Sequence, residues 1–364
     1  MSWNCTVTSV LSALTATMCL AGSAQAATPV YTIHEIKAAE GLTPAEAMAI
    51  SSRGRLIVGS GPETADPKTS APFITKRRKA SALEQPCDHQ TGNKECGTWA
   101  AAVNDLGEAV GTMSVGAPFQ NRYFAQYWGA DGRVVDIDPQ LPCSGTFKHT
   151  YATAINNLGA MLVVLDCADG GGIWERSYVY QNGQLTPIGS LGSDNTNALA
   201  INNRGQVVGY GVIPNGSDHH GFVWENGVTR DLGDIDGSQR NIATDINDQG
   251  HAVVGTTGTG WIGKNYIIDV ATGAKELIAH CHGGDGPSPI AINNRDEVAL
   301  SDGRSESWLY TGGECHAFAD LLDANSRGWT RLVITGIDDE GVVVGRGYHL
   351  KQPVAFIAKP AGVR

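Results

Sequence analysis

The chain has 364 residues, of which 17% are charged and 46 are glycine, with a formal net charge of −11. Such an acidic chain, with its Lys and Arg scattered, argues against nucleic acid and anionic membrane surfaces as partners. Abundant glycine with few charges fits short, turn-punctuated strands better than long charged helices.

Residues 1–26 contain no Lys, Arg, Asp or Glu. A mostly apolar run from Val7 to Ala21 leads into Gly22-Ser23-Ala24-Gln25-Ala26, where Ala24-x-Ala26 is a small-x-small cleavage pattern. A signal peptide cut after Ala26 is expected, with residues 27–364 forming one secreted or periplasmic domain. The absence of Lys and Arg near Met1 departs from the usual pattern. The run is too short and too poor in Leu and Ile to suit a membrane anchor, and Cys19 follows Met18, which disfavours a lipidated cysteine. Past residue 27 no apolar run approaches the roughly 20 residues that span a bilayer.

A turn motif then recurs. It reads Ala49-Ile50-Ser51-Ser52-Arg53-Gly54, Ala102-Val103-Asn104-Asp105-Leu106-Gly107 and Ala154-Ile155-Asn156-Asn157-Leu158-Gly159. The fourth copy is Ala200-Ile201-Asn202-Asn203-Arg204-Gly205. The last three begin at Asp245, Ala291 and Gly336. The apolar anchors lie at 50, 103, 155, 201, 246, 292 and 337, a spacing of 45 to 53 residues. An apolar residue closes an inward-facing strand, and Asn or Asp opens the turn by bonding a backbone N–H two residues on. Gly then supplies the positive φ. Asp296 stands in its place in the sixth copy.

Each copy continues into a second strand, an aromatic-rich third such as His220-Gly221-Phe222-Val223-Trp224, and a fourth such as Val228-Thr229-Arg230-Asp231-Leu232. Four short strands per repeat at this period predict an all-β fold, a seven-bladed β-propeller. The seventh copy runs short of a fourth strand. Val30-Tyr31-Thr32-Ile33-His34-Glu35-Ile36 is the candidate to complete it and close the ring.

The chain resembles the bacterial extracellular HAF-repeat family, named for a His-Ala-Phe stretch beside an A-INN-GQVVG stretch. Ala200-Ile201-Asn202-Asn203-Arg204-Gly205-Gln206-Val207-Val208-Gly209 and His220-Gly221-Phe222-Val223-Trp224 carry the likeness. It extends over nearly all of residues 27–364. The resemblance implies export and a repeat architecture, and no catalytic residues.

With strands of alternating direction, the motif turns share one face, termed the motif face. The loops between second and third strands, and between blades, share the loop face, where ligands are expected. His280, His282 and Asp285 in "HCHGGDGPS" are candidates there as ligand or acid–base groups, against a plain polar loop beside a disulfide. His219 and His220 lie in a second such loop, where His220 could simply bond backbone at a strand start. Trp174 and Trp261, placed before third strands, are candidates for exposed stacking. Phe222, Trp224, Trp308 and Tyr310 read as packing between blades. No zinc spacing occurs, and no metal site is expected. Asp234-x-Asp236-Gly237 and Asp166-Cys167-Ala168-Asp169-Gly170 have the residue types of a calcium loop without its full pattern, so turns are the simpler reading.

Six cysteines remain after the cut, and disulfides suit an exported chain. Cys87–Cys96 closes one interblade loop, and Cys143 and Cys167 share the loop face. Cys281–Cys315 is left by elimination, but the two residues map to opposite faces, and bridged Cα atoms must lie within about 7 Å. A monomeric binding or interaction module for a protein, peptide or glycan is the expected function. The rivals are a propeller hydrolase or lyase using loop-face His and Asp, and a structural envelope or matrix protein.

Overall fold

The computed structural model describes residues 28–363 apart from 39–41, 63–69, 77–78, 86–95, 117–121, 146, 169–171, 194, 215–217, 257–262, 279–280, and 282–285. The signal segment, the Cys87–Cys96 pairing, Trp261, His280, His282 and Asp285 fall outside the described residues.

The described chain starts with β1 (Tyr31–Glu35) and β2 (Lys37–Ala38). Blade one follows as β3 (Glu46–Ile50), β4 (Ile57–Pro62), β5 (Ser70–Lys76) and β6 (Lys79–Ala82). Blade two is β7 (Cys96–Val103), β8 (Ala109–Val115), β9 (Arg122–Trp128) and β10 (Val134–Asp136). Blade three is β11 (Phe147–Ile155), β12 (Met161–Ala168), β13 (Ile173–Gln181) and β14 (Gln184–Pro187). Blade four is β15 (Thr196–Ile201), β16 (Val207–Val212), β17 (His219–Glu225) and β18 (Val228–Asp231). Blade five is β19 (Asn241–Ile246), β20 (His251–Thr256), β21 (Asn265–Asp269) and β22 (Lys275–Ile278). Blade six is β23 (Ser288–Ile292), β24 (Val298–Ser301), β25 (Ser307–Thr311) and β26 (Glu314–Ala317). Blade seven has β27 (Trp329–Ile337), β28 (Val343–His349) and β29 (Gln352–Pro360) from the C-terminal end of the chain.

The fold is thus an all-β, seven-bladed propeller of antiparallel meanders. Its fourth strand in blade seven is β1, which pairs with β29 through Ile33↔Ala358. Tyr31 and Ile33 bury against Phe318, Ile334 and Phe356, so closure is apolar as well as hydrogen-bonded. A second latch is not legible in the sequence. β2 adds in parallel to β6, pairing Lys37↔Lys79 and Ala38↔Ala80, so one N-terminal segment joins blade seven to blade one.

The innermost strand of every blade carries a bulge just before its anchor, as between Ala152 and Ala154 or Ala243 and Asp245. A bulge sharpens the local twist and bends the strand. Small residues flank most of these bulges, at the crowded axis. The core lies between blades. Phe222 and Trp224 pack with Leu162 and Val179 of blade three, and Trp308 and Tyr310 with Val253 and Ile267 of blade five. The motif turns adopt the expected geometry, with Gly205 at φ 79° and its substitute Asp296 at φ 58°.

Among the described residues two disulfides are formed. Cys143–Cys167 has Cα atoms 5.9 Å apart. Cys281–Cys315, the pairing that the face assignment opposed, is made at 5.2 Å. The assignment failed because it treated blades as flat. Twist accumulates at roughly 20–25° per strand pair, so by the fourth strand the two-face distinction has largely rotated away. Cys281 follows the outer strand of blade five and packs, with Ile278, on the outer half of blade six beside Cys315. Among the described residues no helix is long and apolar enough to cross a membrane.

Candidate functional site

The channel has two ends of different chemistry. On the motif face, the first Asn of the repeat is buried and fully engaged. The Asn202 side-chain oxygen accepts the backbone N–H of Arg204 and of Gln206, each at 3.0 Å. Its amide donates to the carbonyl of Asn247 in the next blade at 2.8 Å. Asn104, Asn156, Asn247 and Asn293 do the same, reaching the following blade at 2.8–3.0 Å.

The second position forms an outer circle of Ser52, Asp105, Asn157, Asn203, Asp248, Asn294 and Asp339. From Asp105 to Asp339, each side chain takes a backbone N–H from the preceding blade at 2.7–3.1 Å. Asp339 N–H closes the circle on the Ser52 carbonyl at 3.0 Å. No two carboxylates adjoin, because Asn or Ser separates them. Burial alone would raise Asp105, but hydrogen bonds from Arg53 N–H, Ser52, Ser51 and Asn157 hold it below the usual carboxylate range. The outer circle apart from Asp105 lines a cavity of about 180 Å³. Asp245 also lines it, where other blades carry Ala or Gly. Burial pushes its carboxyl up to about 7, although Ile292 and Ile246 N–H groups bond it at 2.8 Å.

Two positions of the inner circle lack the Asn amide, Ser51 and Asp338. Asp338 accepts from Glu340 and Val342 N–H as an Asn would, but it has no amide to donate to blade one. Its Oδ2 is buried without a partner, and burial drives the carboxyl up to about 7.

The loop-face end is built from positions that differ between repeats. In blade three, His149, Asp166 and Glu175 form one cross-strand row over β11, β12 and β13. Directly opposed residues in an antiparallel sheet project from the same side, so the three side chains meet. The Asp166 and Glu175 carboxyls hydrogen-bond to each other, and Asn197 of blade four bonds Glu175. Burial pushes Glu175 up to about 7, with the Asp166 charge adding to it. Burial also raises Asp166 and lowers His149. Burial favours the neutral form of both carboxyls, and the hydrogen bond between them needs a proton on one of the two. Asp166 Oδ1 is nevertheless buried without a partner.

Aromatic rings surround the row. Tyr123 of blade two lies 5.1 Å from the His149 ring and 5.4 Å from Tyr151, and Trp99 is 6.1 Å from Tyr123. Tyr151 Oη stands 3.4 Å from His149 Nδ1. Tyr210 of blade four is raised by burial and by the Glu175 charge. All of these side chains are half-buried. Among the described residues no three His, Cys, Asp or Glu form a metal-ligand group.

The residues singled out from sequence fare unevenly. His219 touches the edge of this cluster, with its ring 5.3 Å from Tyr210. His220 is turned away and buried. Its Nδ1 bonds the Asp231 carboxylate at 2.9 Å rather than backbone, tying the third strand of blade four to the fourth. Trp174 is not in a loop. It lies inside β13, packed on the core between blades two and three, with the Arg176 guanidinium 4.2 Å above its ring. Asp236 forms an ion pair with Lys264 and bonds the Tyr266 hydroxyl at 2.8 Å, so a cation already faces it. Asp166, read as part of an Asp/Gly-rich loop, belongs to β12. His149, Tyr151, Glu175 and Tyr210 were not singled out. The one signal was charge inside otherwise apolar strands, in "MLVVLDCA" and "IWERSYVY".

No family model matches the chain, and no curated protein matches it. Solved propeller structures do. One, from a study of two prolyl endopeptidases, aligns at 11% identity and a TM-score of 0.54, over 88% of this chain and 51% of that one. A puromycin-hydrolysing peptidase of Mycobacterium tuberculosis aligns at 11% identity and a TM-score of 0.53, over 89% and 51%. The chain spans about half the length of these peptidases, and at this identity the likeness is one of fold.

Proposed function

We propose that the chain is an exported binding module of the HAF-repeat class, which takes a protein or peptide ligand at the loop-face mouth of its channel. The observation that carries this reading is the cluster His149, Tyr151, Asp166, Glu175, Tyr123 and Tyr210. It gathers aromatic rings from three blades around two carboxyls of blade three, one of them with a buried unpartnered oxygen, on residues the repeat itself does not require. Pre-formed polar and aromatic groups on a rigid scaffold are what a ligand site needs. The motif-face cavity is the weaker candidate, because scaffold bonds occupy its polar groups. Export is supported by the two disulfides, which suit an oxidising compartment, and by the expected signal segment.

Phage selection of random peptides against immobilised wild-type protein and against a Tyr123→Ala/Tyr151→Ala variant tests the reading. Peptides enriched on the wild type and lost on the variant support it. Equal enrichment on both removes it. A second reading is favoured by the shared proton of Asp166 and Glu175, which is the equipment of an acid–base hydrolase. Cleavage products from the selected peptides would move the assignment there, and glycans bound in place of peptides would change the ligand class.

A further inference from the structure

We infer that the loop-face mouth recognises a cationic side chain, the ammonium of Lys or the guanidinium of Arg on an extended peptide, held by the Asp166–Glu175 carboxyl pair among the rings of Tyr123, Tyr151 and Tyr210. This rests on the binding reading above and gives its ligand a chemistry.

The geometry makes the case. Asp166 Oδ1 is a buried acceptor without a donor, and leaving such an atom unsatisfied is unfavourable. An incoming N–H would satisfy it. The cations that could do so from within are engaged elsewhere. Arg122 bonds Asp138 at 3.1 Å and stacks on Phe124, Arg240 bonds Asp218 at 2.5 Å, and Arg176 covers Trp174. His149 faces Asp166, but burial disfavours its charged form. Three tyrosine rings and Trp99 present the π faces that attract a desolvated cation. A carboxylate ligand would meet two acidic groups at this mouth and be repelled.

The site also has a proton to lose. Glu175 is faced by Asp166, Tyr151 and Tyr210, with Asn197 bonded to it, and His149 faces Asp166. The hydrogen bond between the two carboxyls needs a proton on one of them. A bound cation stabilises both ionised carboxylates, so that proton leaves to solvent as the ligand arrives.

Titration calorimetry with the whole protein tests this, using Gly-Lys-Gly-Lys-Gly, its Arg counterpart, its acetyl-lysine copy, its Glu counterpart and free spermidine. The Lys and Arg peptides are expected to bind. The acetylated copy and the isosteric variants Asp166→Asn and Glu175→Gln are expected to weaken binding by about tenfold or more. At about pH 6, runs in two buffers of different ionisation enthalpy should show release approaching one proton per site, lost in Glu175→Gln. Circular dichroism melts confirm that the variants fold. Equal binding of the Lys and acetyl-lysine peptides, or unchanged affinity in both variants, overturns the inference and leaves the binding reading intact. Spermidine binding more tightly than either peptide overturns the peptide source. Failure of these peptides together with failure of the phage selection removes the binding reading itself.

Discussion

The two ends of the channel use the same kinds of side chain to opposite purpose. On the motif face, Asn, Asp and Ser recur at every blade, and nearly every polar atom has its partner. On the loop face, Asp166, Glu175, His149 and the tyrosines occur without repetition, and Asp166 Oδ1 is buried without a partner. Repetition in this molecule marks scaffolding, and departure from it marks the place where something else can be bound. A circle of amides that reads as a polar site when one repeat is viewed alone is the clasp between neighbouring blades.

Removing residues 28–38 is the most severe way to break that division, since it strips β1 and β2 from both latches. The loss of Tyr31, Ile33 and Ile36 from the core is worth about 5 kcal/mol or more. The unfolding midpoint should drop by about 10 °C or more in calorimetry. An unchanged midpoint would refute closure by the N-terminal segment.

Asn202→Ala is next. It orphans two N–H groups and removes one of the two donors to the Asn247 carbonyl, for a loss of about 2–4 kcal/mol. Denaturant unfolding should report that loss while the tryptophan spectrum of the loop-face end stays as in the wild type. A variant that is fully stable would mean the clasp is ornamental.

Asp338→Asn should act in the opposite direction, by restoring the missing donor. An acid held at about 7 binds its proton more tightly folded than unfolded. Its presence therefore makes stability fall as pH rises from about 4 to about 7, with no further change above. The variant should remove that slope and gain about 1–3 kcal/mol at pH 8, read from melts across pH. A loss of stability at pH 8 would contradict the assigned flaw.

The smallest effect is expected from Glu175→Gln. Glu175 contributes the same sign of slope over the same window, but it is half-buried, and solvent screens it. The variant should flatten the profile by less than Asp338→Asn does. A steeper loss of stability than in Asn202→Ala would place Glu175 in the scaffold and erase the contrast between the two ends.

The repeat interval, the turn chemistry of the Asn pair and the missing strand of blade seven were all legible, because each is local or periodic in the chain. What was not legible depends on register. His149, Asp166 and Glu175 become neighbours only once three strands are aligned, and a shift of one residue would send any of them to the other side of the blade. His219 and His220 are adjacent in sequence, yet one reaches the mouth and the other is buried against Asp231, for the same reason. The Cys281–Cys315 bond escaped because twist is a property of the whole sheet.

The stitch at residues 31–38 has a consequence for how the molecule comes into being. Its first strands leave the ribosome long before β29, to which β1 must pair, has been made. The ring therefore cannot be finished progressively from one end. Six blades can assemble in order, while the leading segment waits for the last residues to arrive. A chain cut short anywhere near its C-terminus is left with two frayed edges rather than one missing strand. Completion of the circle thus reports that β29 has been made and has met β1.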